Sequence, residues 1–115
     1  MNKTTLLQSG IDAFNRRYFF EAHDAFEEIW MNERGEAVQF YQGLVQISTG
    51  FYHLQMKNIK GAKSQLNKGL QKLNNYKPVY ENILLDSLLF EIQHCIEQLN
   101  TVSLPKIEQK IRYKE

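Results

Sequence analysis

The stretch AVQFYQGLVQISTGFYHLQM, Ala37–Met56, runs for twenty residues without an Asp, Glu, Lys or Arg. Charged residues make up 23% of the whole chain, so a gap of that length is informative. Its apolar residues recur at helical spacing, and a helix without charge belongs at the centre of a bundle, with neighbours on more than one side. The stretch is nevertheless not apolar all round. Gln39, Gln42, Gln46, Thr49 and His53 form a line at spacings of three, four, three and four. A solvated line of that length would normally carry Lys or Glu. An uncharged one predicts a face that is partly buried and hydrogen-bonded.

Working outward, the central helix is expected from Glu36 to Met56, preceded by a turn at Asn32–Gly35 and a helix over Phe19–Asn32. A turn that short makes the two helices antiparallel neighbours. Further helices are predicted over Thr4–Arg16, Lys60–Asn75 and Asp86–Asn100, the last with Asp86 as its N-cap. Leu85, Leu88, Leu89, Ile92, Ile96 and Leu99 supply its apolar stripe. Pro78 and Pro105 lie outside the periodic stretches. No run of alternating β-branched residues bounded by turns is visible, so strands are not expected. The reading is an all-α fold, a compact bundle of about five helices built from helical hairpins. Residues 1–102 would form a single helical domain, and residues 103–115 a tail or a short helix.

The bulk numbers agree with this. A chain of 115 residues with 43% hydrophobic content is ordinary globular material. The N-terminus has no long apolar core or small-residue cleavage site, so no signal peptide is expected. No apolar stretch reaches membrane-spanning length. A single cysteine, Cys95, excludes an internal disulfide framework and suits a reducing cytoplasm. Glycines are scattered rather than gathered in a phosphate loop, and no nucleophile elbow is present. Cys95 follows His94 on a helix, where adjacent side chains diverge, so the two form no catalytic pair.

A faint repeat appears at an offset of forty. Gly10 matches Gly50, Ile11 matches Phe51, Phe14 matches Leu54, Ala22 matches Ala62, Phe26 matches Leu66 and Trp30 matches Leu70. Each unit would be a helix, a short turn and a second helix. Tetratricopeptide-like pairing is one reading, although that period is about 34 residues. The other is that two hairpins of one bundle resemble each other because packing dictates small and apolar positions.

On a helical wheel for Phe19–Asn32, Ala22, Phe26 and Trp30 share the apolar arc with Phe19. His23 lies inside that arc and Glu27 at its margin. Glu21, Asp24 and Glu28 fall on the solvated side. Counting outward from Arg34 sets Gln42 level with Glu27 and Gln46 level with His23. Three readings follow: a structural network fixing helix register, a small-molecule or peptide site, and a metal site. A zinc-binding helix usually offers two histidines at this spacing. This one offers His23 alone, so neither a metal nor a cofactor is expected.

From Lys57 to Lys77 there are six lysines and no acid, while seven acids precede that stretch. The net charge is only +1. Arginine and interleaved aromatics, which a stacking nucleic-acid site would use, are missing there. A solvated helix face is the expectation, not a nucleic-acid interface.

Two blocks, FNRRYFFEAHDAFEEIW and YQGLVQISTGFYHLQMKNIKGAKSQL, together resemble the DUF309 family of small proteins of unknown function. The matching residues are Phe14, Asn15, Tyr18, Glu21, Ala22, His23, Glu27, Trp30, Gln42, Gly43, Leu44, Gln46, His53, Gly61 and Ala62. The resemblance covers roughly residues 10–75. Arg17 stands where a turn glycine is common in the family. The resemblance implies an all-α fold and no established activity. It includes the His, Glu and Gln residues that the wheel singles out. The binding candidates are therefore Glu21, His23, Glu27, Trp30, Gln42, Gln46 and His53. The expected function is a non-catalytic binding or scaffolding module using a polar groove between the second and third helices. Its partner would be a protein or a small molecule, with a homodimer left open. The alternative is a small hydrolase-like enzyme with His23 and Glu27 as its acid/base pair, with or without a metal.

Overall fold

The computed structural model describes residues 2–99 and 104–110. Among them run five α-helices: α1 (Lys3–Asn15), α2 (Phe19–Asn32), α3 (Val38–Gln55), α4 (Ile59–Leu73) and α5 (Leu85–Gln98). Single 3₁₀ turns at Gly35–Ala37 and Asn74–Tyr76 follow α2 and α4. The all-α expectation stands. No helix among the described residues is long and apolar enough to cross a membrane.

The charge-free stretch is central, as its composition predicts. α3 packs against both α2 and α4. Phe40, Tyr41, Leu44, Ile47 and Phe51 are each fully buried. Ser48 is buried too, and its hydroxyl donates to the Leu44 carbonyl at 2.9 Å, which satisfies it within the helix. Phe14, Phe19 and Phe51 bring α1, α2 and α3 together through ring centroids 5.0–5.8 Å apart.

The offset of forty is a repeat of backbone geometry, not only of apolar positions. α1 ends through Arg17 at φ 71°, and α3 ends through Lys57 at φ 66°. In the first turn the Arg17 N–H donates to the Phe14 carbonyl at 3.0 Å and Tyr18 N–H to Ala13 at 2.8 Å. In the second, Lys57 donates to Leu54 at 3.0 Å and Asn58 to His53 at 2.8 Å. Each turn uses one left-handed residue to satisfy the last carbonyls of its helix. Matched glycines then let the hairpin close. A Cβ on Gly10 would lie 2.4 Å from the Phe26 ring, and one on Gly50 would lie 2.6 Å from Leu66 Cγ.

The region after α4 departs from expectation. Val79–Tyr80 (β1) pairs antiparallel with Ile83–Leu84 (β2). The turn residues Glu81 and Asn82 both take positive φ, at 49° and 64°, as a two-residue hairpin loop requires. Strands were not expected here because each is only two residues long and the loop lacks glycine. The tail extends this ribbon. Gln109 bridges Ile83, the Leu84 N–H donates to the Glu108 carbonyl at 2.8 Å, and the Lys110 N–H donates to Asn82. Leu104 and Ile107 are buried, and no helix forms over residues 104–110. Asn15 holds this segment by accepting from the Ile107 N–H at 2.8 Å and donating to its carbonyl at 3.1 Å. The boundary expected at 102/103 and the expected end of the last helix at Asn100 lie outside the described residues.

Asp86 is not the N-cap of α5. Leu84 occupies that position and makes no side-chain cap. Asp86 lies in the first turn, with Lys77 Nζ 3.7 Å from its carboxylate. The ribbon fixes the entry to α5 instead, since the Leu85 N–H donates to the Pro78 carbonyl at 2.9 Å. Nearby, the buried Tyr41 hydroxyl donates to Glu81 at 2.8 Å. Burial, and then the Glu81 carboxylate, push that phenol well above its ordinary range.

Candidate functional site

The helix α2 presents His23 toward α3, and the ring lies between two acids. His23 Nδ1 is 3.1 Å from Asp24 Oδ1, and Nε2 is 3.7 Å from Glu27 Oε2. The imidazole is 24% exposed, against 59% for Asp24 and 41% for Glu27. The wheel was right that Asp24 leans toward solvent. It missed that a short carboxylate can still curl onto the ring of its neighbour.

The other wall comes from α3. Phe20, His23, Thr49, Tyr52 and His53 line a cleft of about 220 Å³. The Phe20 ring packs on Tyr52 at 5.5 Å and on His23 at 5.9 Å, forming the rim. A broader depression of about 660 Å³ lies along the outer side of α1, among Thr4, Thr5, Gln8, Ser9 and Asp12. It gathers no imidazole, so the cleft is the better chemical candidate.

The expected partners of His23 need correction. Among the described residues, neither Gln42 nor Gln46 hydrogen-bonds to His23 or Glu27, and Gln46 Oε1 is buried without any partner. The cause is the turn between α2 and α3. Phe20 stands beside Tyr52 and His23 beside Thr49, so the helices pair about Glu36, inside the Gly35–Ala37 turn. The count that pivoted on Arg34 ran one helical turn short. The polar line on α3 is partly buried from Gln42 to His53, with Gln39 exposed.

The remaining candidates separate. Glu21 is exposed on the first turn of α2, and Trp30 packs partly buried against the core away from the cleft. Neither lines the space between His23 and His53. Phe20, Asp24, Thr49 and Tyr52 are the neighbours not named as candidates from sequence. Only Thr49 had a signal, its place in the uncharged line. Cys95 is buried in α5, and burial raises its thiol pKa, so it does not offer a ready thiolate.

For neutral rings, the hydrogen-bond geometry favours one tautomer at each histidine. Asn58 caps α4 by accepting from the Gly61 N–H at 3.0 Å through Oδ1. Its Nδ2 therefore faces His53 Nδ1, 3.3 Å away, and that nitrogen must accept. A neutral His53 carries its proton on Nε2. A neutral His23 would have the opposite arrangement, with Nδ1–H donating to Asp24 at 3.1 Å and Nε2 as the acceptor. The cleft thus brings two imidazoles, His23 and His53, together from facing helices.

Of the six lysines of the basic stretch, five are exposed and Lys72 is partly buried. Lys57, Lys60, Lys63 and Lys68 are exposed, and none of these four has an acidic partner among the described residues.

Comparison with curated proteins returns no match. The family model named Domain of unknown function (DUF309) matches residues 7–65. That span contains both hairpin-forming blocks up to the middle of α4, the three residues around the His23 ring and the whole cleft. With just over half of its length matched, the chain belongs to the DUF309 family.

Proposed function

We propose that the chain is a cytoplasmic, non-catalytic binding module that receives a side chain of a partner protein in the α2–α3 cleft. The observation that carries this reading is the distribution of exposed apolar side chains. Of the seven large apolar side chains exposed among the described residues, four sit together: Tyr18 at 57%, Phe20 at 51%, Met56 at 62% and Ile59 at 42%, with Met31, Val79 and Phe90 elsewhere. All four belong to the two hairpin turns or the helix ends beside them. Those turns are tied together by Gln55, whose Nε2 donates to the Arg17 carbonyl at 3.0 Å. Apolar side chains gathered beside a cleft are a common feature of protein-binding surfaces. The cleft is smaller than a typical drug-sized pocket of roughly 300–1,000 Å³, which favours one inserted side chain over a large cofactor.

Chemical-shift mapping against short peptides tests this. Perturbations should gather at Phe20, His23, Thr49, Tyr52 and His53, and Phe20→Ala should abolish them. Shifts scattered over α1 or α5 would defeat the reading.

A hydrolase-like enzyme is the second reading, favoured by the placement of His23. An imidazole oriented by a carboxylate through Nδ1 and open at Nε2 is arranged as a general base. Glu27 beside that open nitrogen would be its acid/base partner.

A further inference from the structure

We infer that the surface now covered by residues 104–110 is a groove for an extended peptide of a partner protein, one with an acidic residue before a leucine and a second apolar residue three places on. The chain's own segment, LPKIEQK, is seated there as a stand-in. The groove is distinct from the α2–α3 cleft, and the inference does not rest on the reading given for that cleft.

The segment is held as a strand is held. From Pro105 to Lys110 its residues alternate, with Pro105 and Ile107 buried, Gln109 partly buried, and Lys106, Glu108 and Lys110 exposed. On one edge the Asn15 side chain takes the place of a neighbouring strand. It accepts from the Ile107 N–H at 2.8 Å and donates to the Ile107 carbonyl at 3.1 Å. On the other edge the Glu108 carbonyl accepts from the Leu84 N–H at 2.8 Å, and the Lys110 N–H donates to the Asn82 carbonyl at 2.6 Å. Arg17 Nη2 donates to the Leu104 carbonyl at 3.0 Å. Leu104, 9% exposed, and Ile107, 2% exposed, are the apolar anchors. Main-chain bonds accept any sequence, and pockets choose the side chains, which is how peptides are read when they add to a sheet edge.

The segment leaves part of the groove unused. Arg17 Nη1 is buried and has no hydrogen-bond partner among the described residues. Such a donor is costly unless it is paired. A carboxylate one residue before the leucine would pair with it, and a guanidinium can hold a carboxylate through two nitrogens. Beyond the other end, a depression of about 480 Å³ opens among Lys3, Gln8, Glu81, Asn82 and Gln109. The unpaired nitrogen also selects the occupant. The same segment from a second copy would bring the same Leu104 carbonyl and leave Nη1 unpaired again, whereas a different protein can supply the acid. The family match takes in Gln8, Asn15 and Arg17 but stops before the segment that they hold.

The test is fluorescence polarisation of the full-length chain with two labelled peptides, DLPKIEQK and SLPKIEQK. The second is the chain's own sequence over residues 103–110. Two variants loosen the segment in place: Ile107→Ser removes a buried anchor, and Lys110→Pro removes only the N–H given to Asn82. Circular dichroism checks that they remain helical, and Lys110→Pro loses no buried side chain. DLPKIEQK should bind each variant one to one, at least about tenfold tighter than it binds the unaltered chain, where the tethered segment competes at roughly millimolar effective concentration. Adding Asn15→Ala should weaken binding at least about tenfold, through the loss of two hydrogen bonds. DLPKIEQK should bind about tenfold tighter than SLPKIEQK, and Arg17→Gln should erase that preference. Lys63→Ala, on the exposed face of α4, should change nothing. No saturable binding at millimolar peptide, or binding that survives Asn15→Ala, overturns the inference. So does light scattering that shows the loosened variants pairing as dimers without taking up peptide, which would assign the groove to a second copy.

Discussion

Arg17 closes the first hairpin at φ 71°, and forty residues later Lys57 closes the second at φ 66°. The hydrogen bonds around the two turns agree pair by pair. The side chains placed on that common backbone do not. Position 18 is Tyr18, which makes no side-chain cap, while its counterpart Asn58 caps α4. Position 15 is Asn15, which clamps the tail, while Gln55 clamps the first turn. The largest contrast is on the second helix of each unit, where His23, Asp24 and Glu27 correspond to Lys63, Ser64 and Asn67. The lesson is that hairpin geometry needs the glycines, the left-handed residue and the apolar stripe. It leaves the outer positions free. α2 packs one of those positions beside α3, and there the chain has gathered its polar chemistry.

The glycines should give the largest effect. Gly10→Ala and Gly50→Ala both gain helix propensity but force a Cβ into Phe26 or Leu66. Overpacking of this kind costs about 1–3 kcal/mol. Urea denaturation should show both variants destabilised by comparable amounts. A large loss in one and none in the other would break the equivalence of the two hairpins.

Next comes the cap. Asn58→Ala removes the bond to Gly61 N–H and should cost about 1 kcal/mol. Tyr18→Ala has no such bond to lose and should cost less by thermal melting. Equal losses would mean that the two α-helix starts depend on something other than capping.

The left-handed residues should respond in the opposite direction. Glycine carries no Cβ penalty at this φ. Lys57→Gly should therefore stabilise the chain by up to about 1 kcal/mol. Arg17→Gly should gain less, because Arg17 Nη2 also donates to the Leu104 carbonyl at 3.0 Å. Equal gains would show that this guanidinium bond contributes nothing.

The smallest stability effects are expected at the cluster. His23→Ala and Glu27→Ala should each change stability by less than about 0.5 kcal/mol, since partly exposed ion pairs contribute little. Lys63→Ala and Asn67→Ala provide the matched comparison. Losses of about 1–3 kcal/mol at His23 and Glu27 alone would restore the structural-network reading, because they would indicate a buried group left unsatisfied.

The sequence by itself determined the helical frame. A twenty-residue stretch without charge can be buried on several sides without stranded ions, so α3 had to be central. Period alone located α1, α2, α4 and α5 to within a few residues, and the offset of forty marked the two hairpins. His23, Glu27 and His53 were legible as odd residues, because each interrupts a pattern set by its own helix. Tertiary structure decided what those residues meet. The Gly35–Ala37 turn moved the α2–α3 pairing by one helical turn, and so exchanged Gln46 for Thr49 as the neighbour of His23. The Asp24 rotamer likewise depends on where the His23 ring rests, which no wheel specifies. The short ribbon at Val79–Leu84 was illegible for a related reason. Two-residue strands carry almost no period, and this pair is completed by Gln109 from the far end of the chain. Local pattern encodes which face of a helix is buried. Contacts between elements depend on the length and shape of the turns between them, and a single residue's displacement there changes which side chains face each other.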